Sequence, residues 1–217
     1  MAENTRKYPK RIPYGMMNFV AVRRDDCYYV DKTRYIEEIE RANKFFFFIR
    51  PRRFGKSLTM SMLQHYYDVN DADKFDMLYK GLYIGDHPTP EHNKYLVIYL
   101  NFAVVNAELN NYRKGLDAHC NTAFGVFCDR YAEYLPDGMW ERMKAECNGA
   151  VEQLDFIYNR CAEVGQKIYL FIDEYDHFTN KILAEPGCLD DYRSETHGTG
   201  YLRNFFDTIK AGTSSSI

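Results

Sequence analysis

The chain alternates short apolar runs with stretches of helical period. Residues 45–49 read Phe-Phe-Phe-Phe-Ile, residues 95–102 read Tyr-Leu-Val-Ile-Tyr-Leu-Asn-Phe, and residues 168–172 read Ile-Tyr-Leu-Phe-Ile. Each run is strand-sized and nearly continuous, the pattern of a strand buried in a parallel sheet. Residues 28–30 add a shorter strand-like piece. Between these runs the period changes. Asp31 or Thr33 is placed to cap a helix reaching about Asn43, with Ile36 and Ile39 on one face. Leu58, Met62 and Tyr66 stand at i, i+4 and i+8 and predict a helix from Ser57 to about Tyr67. Residues 108–134 predict a long helix, and 139–164 one or two more, stopped by Gly165. Residues 176–184 and 200–211 supply the last two, with Gly212 as a C-cap. Polar or Gly- and Pro-bearing stretches at 68–76, 81–93, 136–138 and 185–199 predict turns and loops.

Strands alternating with helices imply an α/β fold, a parallel sheet between two helical layers. A length of 217 residues suits one such domain. Residues 1–27 read as an N-terminal strap and 28–217 as the core. Apolar content of 46%, with 16% aromatic, supports a packed interior. A net charge of −3 gives no global case for nucleic acid or an anionic membrane. The six cysteines form no C-x-x-C pair, and no His/Cys group has zinc spacing. They read as reduced thiols of a cytoplasmic protein. The first eleven residues are polar and basic, unlike a signal peptide, and no run has the length of a membrane span.

The chemistry concentrates at the ends of two predicted strands. After 45–49 comes Arg50-Pro51-Arg52-Arg53-Phe54-Gly55-Lys56-Ser57, then Leu58 and the helix. A strand–loop–helix junction aims backbone N–H groups at one spot, where the helix dipole also favours an anion. A lysine there reaches nucleotide phosphates, and a serine hydroxyl ligates magnesium. A basic surface turn would share the same tripeptide. The usual phosphate loop has a glycine where this chain has Arg50, so the loop is expected to begin with a different shape. Arg52 and Arg53 are candidates for phosphate contacts through their guanidinium forks. The second end is Asp173-Glu174, closing 168–172. Ligands of open parallel sheets bind at the carboxyl ends of strands. Asp173 is the candidate magnesium residue and Glu174 the candidate base for water. A solvated strand end would look the same. Asp176 is the reserve candidate, read first as a helix cap. Asn101, ending 95–102, either positions water or a phosphate or simply terminates its strand.

With these residues in hand, the chain resembles the bacterial AAA-ATPase-like proteins, often found with a restriction-endonuclease-like nuclease domain at the carboxyl end. The likeness runs from about Ile12 to Ile217. It rests on Ile12-Pro13-Tyr14-Gly15 with Phe19, Tyr29-Val30-Asp31-Lys32-Thr33, the Arg50-to-Ser57 stretch, Gly81-Leu82-Tyr83-Ile84, and Leu170-Phe171-Ile172-Asp173-Glu174-Tyr175-Asp176. The resemblance implies a three-layer P-loop ATPase with ATP and Mg2+ as cofactors. Phosphate contacts would run from Arg52 through Phe54, Gly55, Lys56 and Ser57 to Leu58. It implies an extra strand, 95–102, and the sheet order 5-1-4-3-2, in which 45–49 and 168–173 are not neighbours. It also places 29–33 towards the adenine, although Asp31 serves equally as a helix cap. The sensor strand and the nuclease domain are expected in a longer natural protein, and nucleic acid would be a partner only through that domain. Two other functions stay open: a nucleotide-controlled switch with little turnover, and a nucleic-acid module built on the arginine patch.

Overall fold

The computed structural model describes residues 9–42, 44–49, 51, 54–105, 112–175 and 200–213. The chain separates into two compact units, residues 1–94 and 95–217, each with its own core.

The first unit is helical among its described residues. Its helices are α1 (Phe19–Arg24), α2 (Tyr35–Arg41), α3 (Lys56–Tyr67), α4 (Phe75–Tyr79) and α5 (Tyr83–Asp86), with a 3-10 turn at Val69–Lys74. Residues 1–27, read as a strap, include the helix α1. Asn18 caps α1 by accepting from the Ala21 N–H at 2.9 Å. Phe19 and Val22 of α1 are fully buried, and the helix packs against α3 and α4. Helix α3 buries Met60, Met62, Leu63, Tyr66 and Tyr67. Aromatic rings fill the centre, with Tyr66 edge-on to both Tyr67 and Tyr79 at about 5 Å.

One expectation fails here. Residues 45–49 form no strand, and Phe46, Phe47 and Ile49 are 47%, 61% and 81% exposed. An apolar run states that a segment prefers burial. A strand also needs a ladder, and the described sheet is two-stranded, pairing residues 95–101 with 167–173.

Residues 68–76, expected as a plain turn, hold a buried ionic cluster. Asp71 is 1% exposed, its carboxylate 2.5 Å from His65 Nδ1 and 2.6 Å from Lys74 Nζ. Burial pushes the Asp71 carboxyl up. The hydrogen bonds and charges of His65 and Lys74 outweigh it and bring the group down to about 2. Its folded value therefore lies below the ordinary 3.8. The cluster stabilises the fold above that pH and loses its contribution as pH falls towards 2. The contribution is worth about 2 kcal/mol at neutral pH, roughly half of it gone by pH 3. Urea melts of Asp71→Asn should show a shallower loss of stability between pH 5 and pH 3 than the parent. Parallel slopes would remove the cluster from the account.

The second unit is α/β. Strand β1 (Tyr95–Asn101) pairs in parallel with β2 (Lys167–Asp173), with Asn101 opposite Asp173. The connection runs through α6 (Tyr112–Arg130), α7 (Met139–Glu146) and α8 (Ala150–Glu163), and α9 (Tyr201–Gly212) follows β2. Both strands were expected to be buried on both faces. Instead β1 alternates: Leu96, Ile98 and Leu100 are fully buried, whereas Tyr95, Val97, Tyr99 and Asn101 are more open. Helix α6 packs on β1 and α8 on β2. Helix α6 continues through Gly115 and Gly125, because Leu116, Cys120, Phe124 and Phe127 bury one continuous stripe. Gly165, at φ +71°, ends α8 by a left-handed turn; its N–H bonds to Ala162 and the next N–H to Cys161.

Asp117 of α6 ties three helices together. It accepts from the Ala150 N–H at the start of α8 at 2.7 Å and from the Tyr201 hydroxyl of α9. Gly149 is required beside it: φ is +86°, and a Cβ there would lie 2.8 Å from the Tyr201 oxygen. Cys120, Cys128 and Cys161 are buried in this unit without disulfides, and burial pushes the Cys128 and Cys161 thiols up to about 12. No helix among the described residues is long and apolar enough to cross a membrane.

Candidate functional site

The candidate residues fall into two groups, one in each unit. In the first unit, Gly55 is the N-cap of α3 and holds φ +78°. This left-handed backbone favours glycine and turns the chain into the helix within one residue. Lys56 and Ser57 are the first two helical residues, both half-buried, followed by half-buried Leu58. Phe54 is 63% exposed. A Cβ built on Gly55 meets nothing within 4 Å, so open space lies beside the loop. The result is a glycine-capped, 12-residue helix whose first turn carries a lysine and a hydroxyl. Arg50, Arg52 and Arg53 lie outside the described residues.

Two sequence signatures of this unit meet each other. Asp31 Oδ1 accepts from the Thr33 N–H and hydroxyl at 2.8 and 2.7 Å. Its other oxygen accepts from the Tyr83 N–H at 2.7 Å, and the fully buried Thr33 hydroxyl accepts from the Ile84 N–H at 3.1 Å. Asp31 and Thr33 therefore cap α5, whereas α2, which they were expected to cap, starts after Arg34 with no side-chain cap. Gly81, at φ +74°, makes the preceding turn. The Asp31 carboxylate is committed to this junction on both oxygens. Burial, then the Asp31 charge, raises the neighbouring Tyr29 hydroxyl to about 12.

In the second unit, Asp173 is the last residue of β2 and is 3% exposed. Its Oδ1 accepts from the Glu174 N–H at 2.9 Å, and its Oδ2 accepts from the Tyr99 hydroxyl at 3.2 Å. Glu174 follows at φ +54°, a left-handed conformation for a non-glycine residue. Such a residue costs about 1 kcal/mol or more and persists where its surroundings hold it. The turn swings the Glu174 side chain to a half-exposed position just past the sheet edge. Asn101, opposite Asp173 on β1, uses its side-chain oxygen to accept from the Ala103 N–H at 3.0 Å, capping a short 3-10 turn at Phe102–Val104. That supports its strand-ending role. Asp176 lies outside the described residues. No group of three or more His, Cys, Asp or Glu side chains forms a metal cage among the described residues.

Sequence reasoning missed Tyr99. The parallel register sets Tyr99 opposite Phe171, on the same face as Asn101 and Asp173. A strand's own sequence carries no register, so the only available signal was a hydroxyl at an odd position in an apolar run.

Comparison with known proteins adds the family. A curated relative from Azotobacter chroococcum mcd 1, an uncharacterized protein in the vnfD 5' region, is 26% identical over 205 residues. That match covers 93% of this chain and 34% of the relative, so the chain spans about a third of the length of the curated relative it matches. No solved structure matches. The sequence profile of the AAA-ATPase-like proteins, described as predicted AAA-ATPases, matches residues 13–217. With nearly the whole chain covered, this protein belongs to the AAA-ATPase-like family.

Proposed function

We propose that this chain is a P-loop nucleotide-binding domain that hydrolyses ATP, coupled to an activity carried elsewhere in a longer protein. The observation that carries the proposal is the start of α3: a left-handed glycine, then Lys56 and Ser57 in the first turn of a 12-residue helix. That junction suits a polyphosphate, because helix N–H groups, the dipole and an ammonium act on the same anion. Gly55 leaves the approach open, as a phosphate requires. Arg52 and Arg53 would add charge-assisted bonds from the same loop. Phe54 and Leu58 would flank the phosphates.

As donor types, the Ser57 hydroxyl and the Asp173 carboxylate suit a magnesium ion. Mg2+ takes one or two protein oxygens and completes its shell with water and phosphate, so no cage of carboxylates is needed. Ser57 and Asp173 would hold it, and it would neutralise charge on the phosphates of ATP. Glu174 would accept a proton from the attacking water as the bond to the γ-phosphate breaks. The left-handed backbone at Glu174 supports this role, since strained backbone gathers at functional sites. Parallel pairing of β1 with β2 supports the expected sheet order, in which the extra strand and the acidic strand are neighbours. We place the protein in the cytoplasm of a bacterium. We reserve nucleic acid as a partner of a nuclease domain outside this chain.

Phosphate release tests the reading. Steady release from ATP in magnesium, abolished by EDTA, is the expected result. Saturable ATP binding without release would replace it with the nucleotide-controlled switch.

A further inference from the structure

We infer that Tyr99 is a positioning residue for Asp173, fixing the carboxylate that would face the magnesium ion; the inference rests on the ATPase reading above. Three observations meet at this pair. First, β1 and β2 are parallel and adjacent, and the register puts residues 99 and 173 on one face, one step apart along the strands. Second, the Tyr99 hydroxyl lies 3.2 Å from Asp173 Oδ2, while Oδ1 accepts from the Glu174 N–H at 2.9 Å. Asp173 is 3% exposed, and each of its carboxylate oxygens accepts from a different donor, which restrains the side chain. Third, Tyr99 is 38% exposed, unlike Leu96, Ile98 and Leu100 on the opposite face of β1. Its ring is not needed to fill the core, so the hydroxyl is the part that acts.

The chemistry runs in one direction. An ionised carboxylate only accepts, so Tyr99 must donate. The 3.2 Å bond runs from the Tyr99 hydroxyl to Asp173 Oδ2, across the two paired strands. Two donors from separate backbone positions fix the plane of the carboxylate. An ion-binding carboxylate works best when its orientation is set in advance by such outer partners. Tyr99 would therefore act on magnesium through Asp173 and make no contact with nucleotide.

The test is a Tyr99→Phe variant, which keeps the ring and removes the hydroxyl. A fluorescent ATP analogue is titrated at a series of magnesium concentrations and again in EDTA. The expected result is a magnesium half-saturation raised by about five- to tenfold, the loss of one hydrogen bond to a charged group. Affinity in EDTA should stay unchanged. A merely structural tyrosine would move both conditions together, and that result, or an unchanged magnesium requirement, overturns the proposal. A double-mutant cycle supplies the second measurement. In an Asp173→Asn background, Tyr99→Phe should have no further effect on the magnesium requirement, and additive effects would count against the pair. Failure of the underlying reading looks different: the parent chain itself would then bind no nucleotide.

Discussion

Lys56→Ala is expected to abolish measurable ATP binding, with the dissociation constant rising at least about 100-fold. The lysine stands at the first position of α3, half-buried, directly after the left-handed Gly55. The helix N–H groups supply partial charge at that point, and Lys56 supplies the only full positive charge in the first turn. Arg52 and Arg53 precede it by four and three residues and lie outside the described residues. The substitution should leave the fold intact, since alanine is the best helix former and the position is not in the core. Calorimetry with magnesium present reads the affinity, and circular dichroism confirms the helices. Lys56→Arg is also expected to fail, because a planar fork does not replace a compact ammonium on a flexible stem. Unchanged affinity in a folded Lys56→Ala protein would remove the site from α3.

The second large effect separates binding from turnover. Glu174→Gln keeps the shape of the side chain and removes its basicity. ATP affinity should remain within about twofold while phosphate release falls by roughly 100-fold or more. Asp173→Asn should behave differently, raising the magnesium requirement first. The geometry is the reason to expect this division between the neighbours. Asp173 is buried and held by two donors at the strand end, whereas Glu174 is turned outward by its left-handed backbone. A Glu174→Gln protein that hydrolyses ATP at the parent rate would dismiss Glu174 as the base and bring forward Asp176.

The candidate junction at the start of α3 was legible because it is local. Glycine, lysine and serine follow one another, and the period of Leu58, Met62 and Tyr66 marks the helix they open. The acidic strand was legible for the same reason: 168–172 is continuously apolar and then stops at two carboxylates. Parallel pairing of 95–101 with 167–173 followed from the helices between them. What depends on distant partners was not legible. Residues 45–49 are as apolar as either strand, yet form none, since a ladder is made with another segment. Asp71 reads as one more polar turn residue until His65 and Lys74 are placed around it. The bonds from Asp31 and Thr33 to residues 83 and 84 cross about fifty positions of sequence, and nothing in either motif alone names the other. Tyr99 belongs to the same class, because its role is set by register.

The most direct test of the account is hydrogen exchange of the chain with and without ATPγS and magnesium. If both groups of residues serve one nucleotide, amides at 54–60 and at 170–175 should slow together, while α7 changes little. Slowing at neither segment under saturating nucleotide, or slowing confined to other parts of the chain, would contradict it.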